Sequence, residues 1–199
     1  MDNLIDPRPL ARVVTVILWG WLATETAYML GVLAALLGSP PGDASIVGLI
    51  AVAQLVGYIA SFITVGRWIW RTSKNAHGLA EGLSITPGWA VGWFFVPIAN
   101  LVKPFEAMRE TWQVSHDPAN WPAVPTPPLL RWWWGAWIAA SMIGNAAFQL
   151  SLRGITIPDR SWFDVLGSIA SIGAGLALIR VVRDLSDAQA RTIAAHAFA

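Results

Sequence analysis

The sequence predicts an all-α integral membrane protein with four transmembrane helices and a re-entrant or interfacial helical element between the second and third spans. Three observations carry that prediction. Only 13% of the residues are charged and 55% are hydrophobic, where a soluble domain carries about 25% charged. Four apolar runs have the length of a membrane crossing. The basic residues, finally, are gathered into alternate connecting segments.

The first span covers about residues 12–37, with Val13–Leu37 as its apolar stretch. A cleaved signal peptide is the competing account, because Arg8 and Arg12 precede the run. A signal h-region has about 7–15 residues, however, and this stretch is longer, so an uncleaved span is expected. The second span covers about residues 45–70, with Ser45–Gly66 free of charge. The third covers about 130–152 and the fourth about 163–183, on the apolar runs Trp132–Leu152 and Val165–Ile179. About 20 helical residues cross a hydrocarbon layer of about 30 Å.

Orientation follows from Lys and Arg. Arg8 and Arg12 precede the first span, and no basic residue separates the first from the second. Arg67, Arg71, Lys74, Lys103, Arg109 and Arg131 fall between the second and third, Arg153 and Arg160 between the third and fourth, and Arg180, Arg183 and Arg191 at the end. With four spans the bias puts both termini, and a tail at 184–199, in the cytoplasm.

Between the second and third spans lies the apolar stretch "GWFFVPIANLVKP", Gly92–Pro104. As a fifth span, Trp89–Val102 would reach only about 21 Å and would erase the charge bias. As part of a soluble core it would lack other extramembrane chain to pack against. It is therefore expected at the cytoplasmic interface, with Trp89, Trp93, Phe94 and Phe95 at headgroup level. Pro97 and Asn100 break the helix there, and the Asn100 amide is available to freed backbone groups. Pro104 suits a first helical position. After it, Phe105, Met108 and Trp112 share one face while Glu106, Arg109, Glu110 and Gln113 take the others. This describes a short amphipathic helix on the bilayer, or one that binds a partner. The whole interfacial element spans 87–115, and a proline-rich linker follows at 117–128.

Trp70, Arg71, Asn75, Leu79 and "PGWAVGWFFVPIANLVKPFEAMRETW" (Pro87–Trp112) together make a pattern. It resembles the bacterial membrane-protein family catalogued as domain of unknown function 4328, whose members carry W-F-[IV]-P-x-x-N-L-x-x-P between the second and third of four spans. Trp93, Phe95, Pro97, Asn100, Leu101 and Pro104 match that signature, with Phe94 inserted. The first span matches only in kind. The resemblance implies four-span topology in a bacterial cytoplasmic (inner) membrane and brings no activity; the excess of arginine over lysine, 11 to 2, suits a GC-rich bacterial genome. The candidate binding surface is accordingly Arg71, Asn75, Trp89, Trp93, Pro97, Asn100, Pro104 and Trp112.

Counted from the basic residues that end the spans, Glu25, Gln54, Asn145 and Ser168 share one depth, about 18–21 Å in. Glu25 is the only carboxylate well inside a span and needs donors or a proton there. A structural hydrogen-bond clamp is one reading, and no intramembrane arginine or histidine argues against it. A small transporter or ligand-binding protein using this layer is the other. Gly167, Ser171 and Gly175 form a small-residue ridge for packing within the chain or for a homodimer seam. The 13 tryptophans concentrate toward the cytoplasmic face as an aromatic belt. The consecutive Trp132–Trp134 point around the whole helix, so at least one ring is expected to face protein, and with Trp93 and Arg71 at similar depth this leaves room for a pocket that takes a lipid headgroup or flat amphiphile.

Other chemistry finds little footing. The chain has no cysteine, which removes disulfides, thiolate metal sites and cysteine nucleophiles. His77, His116 and His196 are not spaced as metal ligands, no nucleophile has a base partner, and no P-loop or nucleic-acid pattern is present. The expectation is a non-enzymatic membrane component without a cofactor or metal that acts by protein or lipid interaction through Pro87–Trp112.

Overall fold

A computed structural model describes residues 4–39, 42–154 and 160–197. Every regular element among them is helical. The six α-helices are α1 (Arg8–Leu36), α2 (Ala44–Leu79), α3 (Pro87–Gly92), α4 (Lys103–His116), α5 (Pro128–Leu152) and α6 (Arg160–Ala197), with single 3-10 turns at Trp93–Phe95, Ala99–Leu101 and Trp121–Ala123.

Short-range chemistry sets these boundaries. The Asp6 carboxylate accepts the Arg8 N–H at 2.9 Å, and Asp43 accepts the N–H of Ser45 at 2.8 Å, so each opens a helix by taking up an orphan donor. Both carboxyls lie below their ordinary value, Asp6 through its hydrogen bonds from Arg8 and Asp43 through the amides of Ser45 and Ile46. Pro87, Pro104 and Pro128 stand in the first turns of α3, α4 and α5, where a missing N–H costs nothing. Gly38, Gly82 and Gly154 follow α1, α2 and α5 with φ of +81°, +83° and +67°, a conformation that a side chain disfavours.

Among the described residues three helices are long and apolar enough to cross a membrane: α1, α2 and Ser161–Ala195 within α6, with mean hydropathies of 1.4, 2.2 and 2.0. α5 has 25 residues, but Trp137, Asn145 and Gln149 keep its hydropathy below theirs. α2 and α6 run on past the boundaries expected for them, to Leu79 and Ala197.

The chain divides into two compact units. The first comprises Met1–Val16, Phe62–Arg131 and Ile179–Ala199; the second comprises Ile17–Ser61 and Trp132–Leu178.

In the first unit Trp68, Met108, Leu130, Leu185, Val14, Val114, Val181 and Val182 are fully buried. Polar groups are buried with them and paired. Gln189 donates to the Thr72 carbonyl at 2.9 Å and to Ser115 Oγ at 3.1 Å. Asn75 donates to Gln189 Oε1 at 2.9 Å and to the Ile5 carbonyl at 2.7 Å. Trp68 Nε1 donates to Ser186 Oγ at 2.9 Å, and Thr192 Oγ1 to the Ser115 carbonyl at 2.8 Å. One chain of amides and hydroxyls thus ties α2, α4, α6 and the N-terminal segment. Each bond is worth about 0.5–1.5 kcal/mol net, and an orphaned partner would cost about 1–3 kcal/mol.

These contacts correct three sequence expectations. The segment expected as a tail from 184 is a continuation of α6 to Ala197, and Leu185, Ser186, Ala188, Gln189 and Ala190 in it are buried. α4 is not a helix lying on a surface by one face. Glu110 and Gln113, expected to point away, are buried because Ser84 donates to Glu110 through its amide and its hydroxyl, and Gln113 Nε2 donates to the Val124 carbonyl at 2.6 Å. The 117–128 linker is not a free extended strap either, since Gln113 and Trp121, whose indole N–H reaches the Glu81 carbonyl at 3.3 Å, tie it down. The overrun of α2 and α6 thus supplies the chain against which α4 packs.

In the second unit, pieces of α1, α2, α5 and α6 pack through small residues. A Cβ on Gly57 would meet the Trp21 backbone at 3.4 Å, and one on Gly175 would meet Leu22 Cδ2 at 2.8 Å and the Trp21 ring at 3.2 Å. Gly167 faces Ile143 in the same way at 3.3 Å. Leu49, Val52, Leu55, Val56, Met142, Phe148, Leu166 and Ile169 all point outward and are more than half exposed. Apolar exposure on that scale is foreign to a water-facing surface.

Candidate functional site: the Pro87–Trp112 element

Thr86 is extended (φ −64°, ψ 155°), and Pro87 starts the single turn-and-a-half of α3. Gly92 then admits the Trp89 ring, whose Cε3 would lie 3.1 Å from a Cβ at that position. The chain tightens through Trp93–Phe95, and Val96 is extended (φ −97°, ψ 112°). Pro97 cannot donate to a helix and forces the break.

The break is a γ-turn centred on Ile98. Its φ of 67° and ψ of −51° are of the strained positive-φ form, and the Ala99 N–H donates to the Pro97 carbonyl at 2.8 Å. A wider bond from the Asn100 N–H to the Val96 carbonyl, at 2.9 Å, encloses it. A β-branched residue at positive φ is a genuine outlier, costing about 1–3 kcal/mol. Its side chain is 82% exposed, so this turn holds an isoleucine outward at the tip of the element.

Around it Phe95 is 67% exposed, Val102 52%, Trp89 51% and Leu101 44%. The rings are braced from behind: Trp89 and Trp93 lie 4.6 Å apart, and Phe95 meets Phe62 of α2 edge-on at 5.6 Å.

The residues singled out from sequence therefore divide. Trp89 and Pro97 are exposed on the element, and Trp93 and Asn100 are half-buried within it. Asn75, Pro104 and Trp112 are buried; Asn75 belongs to the amide chain and Trp112 stacks on His116 at 4.4 Å. Arg71 is half-buried on α2. The Asn100 side chain forms no hydrogen bond among the described residues, so the freed backbone is satisfied by local turns instead. Ile98, Phe62, Gln189, Ser115 and Ser186 were not singled out. For the last group a signal existed: Ser186, Gln189 and Thr192 recur every third residue and so share a helix face.

The polar layer divides as well. Glu25 is buried and accepts a hydrogen bond from Gln54 Nε2. Ser168 is buried, while Asn145 is exposed and does not join them. His77 and His116 each place Nδ1 against the carbonyl one helical turn back, at 2.9 and 2.8 Å; the side chain of His196, like that of Arg160, lies outside the described residues. Among the described residues no three His, Asp or Glu side chains gather as a metal site would require.

No curated protein and no solved structure matches the chain. A family model does, over residues 42–187, from just before α2 to the buried stretch of α6 and including the whole element. The chain belongs to the family described as domain of unknown function (DUF4328).

Proposed function

We propose that this protein is a non-enzymatic, multi-pass component of a bacterial cytoplasmic membrane that works by contact, with the Pro87–Trp112 element as its contact surface. α1, α2, α5 and α6 are the four spans. α5 is about 38 Å long and crosses a layer of about 30 Å despite its tryptophans, which suit an interface. Both termini and the element lie on the cytoplasmic side, as the arrangement of Lys and Arg requires.

The observation that carries this reading is Ile98, held 82% exposed by a strained turn. Strain kept at an exposed apolar tip is without benefit in water; seated in the inner leaflet, Ile98, Phe95, Leu101 and Val102 gain apolar surroundings without the backbone crossing. The local γ-turn and 3-10 bonds support that placement, since broken backbone at membrane depth needs internal partners. Glu25 acts as a clamp between α1 and α2, a reading supported by the Gln54 bond and by Asn145 standing apart.

The test replaces Ile98 and Phe95 together by serine. Membrane insertion is expected to persist while contact of the element with lipid, read by photo-crosslinking from position 101, is lost. Crosslinks from position 101 to a specific protein instead of lipid would refute the lipid-seated form of the reading.

A further inference from the structure

A groove of about 330 Å³ opens between α2 and α3, lined by Phe62, Ile63, Gly66, Arg67, Trp70 and Val91. Its size is that of a small-ligand site. Its walls are almost wholly apolar, Arg67 lining it through its aliphatic stem; Arg67, the one charged residue there, is exposed and, among the described residues, has neither a hydrogen bond nor an ion pair, so its guanidinium is available at the rim. We propose that this groove binds an anionic phospholipid, with an acyl chain against Phe62, Ile63, Gly66 and Val91 and the phosphate on Arg67.

The order of residues along α2 argues for that occupant. Ile63, Arg67, Trp70 and Lys74 follow one stripe of the helix at spacings of three and four. Along it the surface changes from aliphatic to guanidinium to indole to ammonium, and Lys74 Nζ sits 5.3 Å over the Trp70 ring. An aliphatic residue thus lies one turn from a cation with an interfacial indole beyond it, the neighbours that an acyl chain and its phosphate require. Arg67 is also the first charge after the uncharged run Ser45–Gly66, so it stands where that run meets the headgroups. A soluble anion would satisfy the guanidinium but leave Phe62, Ile63 and Trp70 exposed at 44%, 56% and 41%; an amphiphile satisfies both. Gly66 keeps the slot open: a Cβ there reaches only to 3.7 Å from Val91 Cγ1, so a larger side chain would occupy the space.

The inference rests on the element being seated in the cytoplasmic leaflet. The full chain is reconstituted in bilayers of phosphatidylcholine mixed with phosphatidylglycerol and re-extracted mildly, and the retained lipid is measured by mass spectrometry. Phosphatidylglycerol is expected about fivefold above its share of the bilayer, the factor supplied by one cation near the surface. Arg67→Gln should return it to the bulk share, Gly66→Leu should lower the total lipid retained, and Arg191→Gln, an exposed cation on α6 outside both the groove and the Pro87–Trp112 element, should change nothing. Wild-type protein at the bulk ratio, or Arg67→Gln with undiminished enrichment, would overturn the proposal. A protein captured through Arg67 in place of lipid would also overturn it. An environment-sensitive label on a cysteine at position 98 separates the two levels. An apolar signal without lipid preference defeats only the lipid assignment, and an aqueous signal defeats the leaflet reading beneath it.

Discussion

Asn75 and Gln189, 114 residues apart, share a 2.9 Å hydrogen bond at 2% and 0% exposure. Gln189 spends its own two donors on the Thr72 carbonyl and Ser115 Oγ, so one amide is the joint between three helices. Gln189→Leu fits the space but takes a buried bond from each of three partners, leaving Ser115 its bond to the Thr111 carbonyl and Asn75 its bonds to Ile5. It is expected to cost about 2–4 kcal/mol, more than the typical loss for a single substitution. With Asn75→Ala, a double-mutant cycle should give a coupling of about 0.5–3 kcal/mol. Unfolding in detergent, followed by circular dichroism, measures both; additivity would show that the bond contributes nothing.

Glu25 and Gln54 make a second test. If the pair is a clamp, Glu25→Gln keeps a hydrogen-bonding partner and leaves stability within about 1 kcal/mol. Gln54→Leu removes the donor from a buried carboxyl and should cost more, about 1–3 kcal/mol. A proton-dependent flux in proteoliposomes that Glu25→Gln abolishes would reassign the pair to transport.

Gly175 carries a packing prediction. Its Cβ would lie 2.8 Å from Leu22 Cδ2 and 3.2 Å from Trp21 Cζ3, so Gly175→Val overpacks the contact by about 1–3 kcal/mol. Leu22→Ala in the same chain should recover part of that loss. Gly173→Ala, with nothing within 4 Å, is the control and should be silent. Equal melting of both variants would place the Gly175 face away from α1.

Acid acts on the start of α2. The Asp43 carboxyl lies below its ordinary value of 3.8 because it accepts the Ser45 and Ile46 amides. A depressed carboxyl contributes above its unfolded-state value and loses that contribution as pH falls through the lower, folded one. Exchange of the Val47 amide, corrected for its intrinsic rate, should therefore quicken below about pH 4. In Asp43→Asn that pH dependence should vanish.

The start of α4 was legible because proline acts locally: Pro104 stands in its first turn. The end of α2 was not, for the helix runs past the boundary expected near residue 70 to Leu79, and only then does Gly82 turn at positive φ. The shared depth of Glu25 and Gln54 was legible from counting along each helix. Depth does not give the direction a side chain faces, which is why Asn145 was grouped with them and is exposed. Gln189 was hidden by its neighbours. Asp184, Asp187 and Arg191 fall in the segment expected as a cytoplasmic tail, and only the three-residue recurrence of Ser186, Gln189 and Thr192 marks a buried face. The turn at Ile98 was not legible, since a β-branched residue is among the last expected at positive φ.

The central claim is that the chain between α2 and α4 enters the inner leaflet and returns. Because the protein has no cysteine, single cysteines at Glu81 and Ala119, both exposed and flanking the element, test it directly. A membrane-impermeant maleimide applied to right-side-out and to inverted vesicles should label both positions only in the inverted ones. Labelling of 81 and 119 from opposite faces would make the element a crossing and contradict the account.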